Sequence, residues 1–77
     1  MATVRQIISL VEVLEDDYGY TVNEYGRADI VLKNTGISVD DVEDDMFDIV
    51  DSYSEYRDLD GDFTVSDYRK QVKIEFD

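Results

Sequence analysis

The sequence predicts a small α+β fold, with two helices packed on an antiparallel sheet in the order α-β-β-α-β-β. Three observations carry that expectation. Two stretches repeat their apolar residues every three or four positions, and two others switch to a period of two. Glycines stand where the period changes. The chain has 77 residues with 43% apolar content and no Cys, so a folded state must rest on one hydrophobic core rather than on disulfides. We expect a single domain over residues 1–77.

The first helix opens at Thr3, where Thr3 and Gln6 fit a capping box. Val4, Ile7, Val11 and Leu14 then form an apolar stripe, widened by Ile8 and Leu10, while Arg5, Ser9 and Glu12 face away. Gly19 suits the stop. From Tyr20 the period is two: Tyr20, Val22 and Glu24 share one face, and Thr21, Asn23 and Tyr25 the other. Gly26 and Arg27 mark a turn into a second strand, Ala28 to Lys33, with Ile30 and Leu32 on one side. Asn34, Thr35 and Gly36 close this hairpin.

Ser38 is the N-cap of the second helix, and Ile37 and Val42 occupy the positions of a hydrophobic staple. At about 100° per residue, Val39, Val42, Met46, Ile49, Val50 and Tyr53 fall within an arc of about 100°. Asp41, Asp44, Asp45, Asp48, Asp51 and Glu55 fall opposite. The helix is expected to run to about Tyr56. Beyond the acidic turn Asp58 to Asp62, Phe63 and Val65 have one parity and Val72, Ile74 and Phe76 the other. One straight strand cannot place both sets on a single face, so a turn near Asp67 to Arg69 is expected to divide them into a hairpin.

Charge is the most informative feature. The net charge is −13, from 20 acidic and 7 basic residues. Residues 38–62 hold eleven acidic residues against one base, Arg57, and carry −10; residues 1–37 carry −3, and residues 63–77 are neutral. An acidic surface repels phosphate, so direct binding to DNA, RNA or an anionic membrane is not expected. No apolar run reaches the length of a membrane span and no leader pattern is visible, so a cytoplasmic location is expected. With no His, Cys, nucleophile elbow or phosphate-binding glycine loop, neither catalysis nor a cofactor is expected.

A solvated helix face usually interleaves Glu with Lys four residues apart. Here Asp41–Asp45 and Asp44–Asp48 stand in place of such pairs, and like charges at that spacing are unfavourable. Residues 40 to 51 span roughly 18 Å of helix and bear seven carboxylates. Duplex DNA of that length bears about ten phosphates. A basic groove built for nucleic acid would therefore meet a comparable charge density on this face.

In size, charge, lack of Cys and its opening helix followed by the Tyr20-Thr21-Val22 strand, the chain resembles the small acidic DNA-mimic proteins of phages and mobile elements. That group includes anti-CRISPR proteins, anti-restriction proteins and inhibitors of uracil-DNA glycosylase. The resemblance implies a non-enzymatic inhibitor, acting in the host cytoplasm, whose partner is a basic nucleic-acid-binding protein: a Cas effector, a restriction enzyme or a repair enzyme. It also implies that phosphate surrogates come from the second helix (Asp40, Asp41, Asp44, Asp45, Asp48, Asp51, Glu55) and the loop after it (Asp58, Asp60, Asp62). Two other readings use the same charge. One is an antitoxin-like module that docks another basic protein. The other is halophilic adaptation, which should coat the whole surface rather than concentrate in one segment.

Other motifs carry less. Asp58, Asp60 and Asp62 match the first calcium-loop positions of an EF-hand, but Phe63 replaces the required Gly and Arg69 the bidentate Glu. An acidic turn before a strand explains the run, and no metal is expected. Tyr53 and Phe47 are expected in the core, with an interface contact as the alternative for Phe47. Arg69, Lys70 and Lys73 form a small basic patch expected to pair with nearby acids.

Overall fold

The computed structural model describes residues 2–34 and 36–77, so the expectation for Thr35 lies outside the described residues. The fold is α+β: α1 (Val4–Asp16), β1 (Val22–Tyr25), β2 (Asp29–Lys33), α2 (Val39–Ser52), a 3₁₀ segment (Ser54–Leu59), β3 (Phe63–Tyr68) and β4 (Gln71–Phe76). The strands form one antiparallel sheet in the order β1-β2-β4-β3. The 3₁₀ segment is a helical element the expected order lacked.

The capping box of α1 is present: Gln6 donates its N–H to the Thr3 hydroxyl, and Thr3 donates its N–H to the Gln6 side chain. The buried stripe is Ile7, Leu10, Val11 and Leu14, so it is rotated from the expected one. Leu10 lies at its heart, whereas Val4 (51% exposed) and Ile8 (45%) sit at the rim. After the helix Gly19 takes φ +74°, and Tyr20 donates its N–H to the Leu14 carbonyl at 3.0 Å. The chain thus reverses through a backbone conformation that a side chain would disfavour.

β1 starts at Val22, two residues later than expected, although Lys33 N–H still reaches the Thr21 carbonyl at 2.8 Å. Val22 pairs with Leu32 but Glu24 pairs with Val31, so a bulge falls at Asn23. Opposite residues in a sheet share a face. The extra residue therefore sends Glu24 to the face opposite Val22, against the expected shared face. β2 begins at Asp29, a residue later than expected.

The C-terminal hairpin turns at Arg69 and Lys70, slightly beyond the expected position. Its register sets Val65 opposite Ile74 and Phe63 opposite Phe76, which reconciles the two parities. Val65, Val72, Ile74 and Phe76 then join Ile30 and Leu32 on one face of the sheet. The buried residues of α1 and α2, with Tyr56 and Leu59 from the 3₁₀ segment, cover that face in one cluster.

α2 ends at Ser52, short of Tyr56. Tyr53 is its C-cap, with φ −107° and ψ 116°. Three facts account for the break. Asp and Ser are weak helix formers, the last turn of α2 holds no base to favour its dipole, and the 3₁₀ turn swings Tyr56 and Leu59 into the core. Among the described residues no helix is long and apolar enough to cross a membrane.

Candidate partner-binding face

α2 is anchored at its start by Ser38, whose hydroxyl accepts the Asp41 N–H at 3.1 Å. Asp40 and Asp41 occupy its first turn, where the helix dipole favours anions. Val42, Met46, Ile49 and Val50 are buried against the sheet. Helical geometry then places Asp40, Asp41, Asp44, Asp45, Asp48 and Asp51 within about 140° on the outward side. Asp40, Asp41, Asp44, Asp48 and Asp51 are exposed, and Asp45 is half-buried.

Beyond the helix, Glu55, Asp58 and Asp60 are exposed and Asp62 is half-buried. Ending α2 at Ser52 removes Glu55 from the helical face it was expected to share and sets it on the 3₁₀ segment with Asp58. The ten expected residues therefore form two groups, six on α2 and four on the segment that follows.

The carboxylates are not equivalent. Asp48 accepts a hydrogen bond from the Tyr18 hydroxyl at 2.6 Å, and Asp45 accepts one from Tyr20. Asp58 accepts from Gln6 Nε2 at 3.0 Å, while the same amide also donates to the Glu55 carbonyl. A third tyrosine, Tyr53, donates to Asp17 at 3.0 Å. Asp48, expected to face Asp44 where a solvated helix would set a base, is held instead by a phenol. The Tyr18-Gly19-Tyr20 run carries the missed signal: two hydroxyls flank a glycine turn in a chain rich in acids. Nothing in the sequence says which carboxylates they meet.

These contacts hold the phenols protonated. Tyr18 is pushed well above the ordinary tyrosine range, first by its bond to Asp48 and then by burial. For Tyr20 burial comes first, then the bond to Asp45. Asp40, Asp41, Asp44 and Asp51 hold no such clamp, and no ion pair with a base is found for them among the described residues.

Phe47 departs from the expected core position. It is 46% exposed, its ring leaning on Phe63 at a centroid distance of 5.3 Å. On the helix it borders the Asp40, Asp44 and Asp51 side of the arc. Tyr53 packs against the core only in part, with its ring 5.8 Å from that of Tyr56.

The calcium-like run is divided among elements. Asp58 lies within the 3₁₀ segment, Gly61 turns the chain at φ +82°, and residues 63–68 are paired with β4. A strand thus stands where an EF-hand needs loop and then helix. The basic patch also differs from expectation. Lys73 alone of its three members pairs with an acid among the described residues, reaching Asp29 at 3.6 Å. The Arg69 guanidinium and Lys73 Nζ lie 5.4 and 4.5 Å from the centre of the Tyr68 ring.

Comparison with protein-family models, with curated proteins and with solved structures finds no match.

Proposed function

We propose that the chain is a non-enzymatic inhibitor whose acidic α2 face enters the basic nucleic-acid-binding groove of a target protein and excludes its natural ligand. The target would be a Cas effector or another DNA-acting defence or repair enzyme. One observation carries this reading: six aspartates share the outward arc of α2, with no base anywhere in the helix. Like charges so arranged oppose folding. A groove lined with Lys and Arg would relieve that repulsion on binding and be steered to the face at long range.

The clamps on Asp45 and Asp48 support the same reading, because groups already held in place lose little freedom when a partner binds. Phe47 adds an apolar contact at the border of the charge. An aromatic anchor beside a charged rim is a common design for a tight interface.

The test reverses charges that have no structural duty. Asp44→Lys with Asp51→Lys should weaken binding to the target by about 100-fold, or about 2.7 kcal/mol, at low salt. The fold should be retained, as read by circular dichroism. Capture from a host lysate at low salt, eluted at high salt, would supply the target. Unchanged affinity in the double variant would remove the reading, and capture of a dedicated small basic protein would favour the antitoxin-like module.

A further inference from the structure

The two edges of the sheet are built differently. β1 is four residues long, carries the bulge at Asn23, and exposes Asn23, Glu24 and Tyr25. Short length, bulges and charge are the ordinary means of blocking pairing between strand edges. β3 has none of these except one charge, Asp67: it runs six residues in unbroken register with β4.

Hydrogen-bond parity defines what that edge offers. Asp77 donates its N–H to the Asp62 carbonyl at 2.9 Å, so Thr64, Ser66 and Tyr68, which share the parity of Asp62, turn their amides toward β4. Phe63, Val65 and Asp67 turn theirs outward. No bond from the backbone of Val65 or Asp67 to another element is found among the described residues. The surrounding charge also matters. Residues 63–77 hold three acids and three bases, in a chain of net charge −13. The C-terminal hairpin is therefore where a second copy would meet least repulsion.

We propose that β3 pairs antiparallel with β3 of a second copy about a two-fold axis at Val65, joining two four-stranded sheets into one of eight. Residues that face each other in an antiparallel ladder must have the same hydrogen-bonding parity. Val65 therefore lies across from Val65, Phe63 from Asp67, and Thr64 from Ser66. The same register brings the Asp60 turn of each copy beside the Arg69–Lys70 tip of the other. Opposite charges thus meet twice, as an isologous contact requires. The tip is costly to build, because both residues take positive φ (49° and 63°), where Asn-Gly would be the relaxed choice. Two cations occupy the tip despite the strain. The axis stands perpendicular to the sheet, so both helical layers lie on the same side of the dimer.

A single strand pair buries little area, which makes the association weak and dependent on concentration. Sedimentation equilibrium of the full chain should show the mass rising from 8.9 kDa toward twice that value between about 10 μM and about 1 mM. Over the same range, the Val65 and Asp67 amides should become slower to exchange with deuterium. Lys70→Glu should weaken the dimer about tenfold or more. Lys33→Glu changes the net charge equally but lies on β2, with β4 between it and the edge, and should leave the dimer intact. A chain that stays at 8.9 kDa throughout, or a dimer whose Val65 and Asp67 amides exchange freely, would overturn the proposal. So would equal weakening by both variants. Protection of those amides only when the target is added would assign the edge to a strand of the target instead. None of these measurements depends on the acidic face binding anything.

Discussion

Tyr20 shows how a single hydroxyl can join two parts of this chain. Its phenol crosses from the loop before β1 to Asp45 on α2, and Tyr18 makes the parallel contact to Asp48. A hydrogen bond to a charged group contributes more than a neutral one, though exposure to water weakens it. Tyr20→Phe should therefore cost about 1 kcal/mol in urea denaturation, and Tyr18→Phe, whose partner is exposed, less. The same contacts set an alkaline limit. Both phenols are raised above the unfolded value of 10.0, so their contribution is complete below about pH 10. Above it the unfolded chain loses protons first, and stability falls as pH rises through the folded-state values. A pH series of denaturation midpoints should stay flat from this source to about pH 10 and then descend, with the descent reduced in the double Phe variant.

At the scale of elements, the β3–β4 turn is the most strained piece. Arg69 and Lys70 both adopt the left-handed conformation, which costs roughly 1 kcal/mol or more for each non-glycine residue. Replacing them by Asn-Gly should relieve that strain and lose the contact of Arg69 with the Tyr68 ring, worth about 0.5–1 kcal/mol. A net gain of about 1 kcal/mol should follow, read as a rise in Tm of roughly 4–8 °C. How far such elements are legible in sequence depends on whether their signal is local. The Thr3–Gln6 box and the Ser38 cap are spelled by neighbouring side chains, and both form. The shift in parity between Phe63 and Val72 required a hairpin, which also formed. The bulge at Asn23 was hidden, because it depends on the register that β1 finds against β2. The end of α2 was hidden too: its apolar period continues to Tyr53, and the break comes from the 3₁₀ turn burying Tyr56 and Leu59. The acidic face was visible as charge and period, whereas its division into clamped and unclamped carboxylates arises only in the folded chain.

For the whole molecule, charge sets the response to solvent. A net charge of −13 on 77 residues repels itself in the compact state, and salt screens that repulsion over a Debye length of about 10 Å at 0.1 M. Thermal unfolding should therefore move to higher temperature as sodium chloride is raised from about 10 mM to about 0.5 M, while affinity for a basic target falls over the same range. A chain whose Tm was unaffected by salt would not be under the strain that the acidic helix implies. The strand order has a consequence of another kind, in time rather than energy. β1–β2 and β3–β4 are hairpins between neighbours in sequence, but the two units are sewn together at β2–β4, across the whole of α2. Hairpins of this size close in microseconds, whereas distant strands must first search for one another. Folding is then a meeting of two preformed halves, and α2 is the tether between them. Each half on its own would hold a strand, β2 or β4, with its inner edge open, so neither is safe from aggregation until the other arrives.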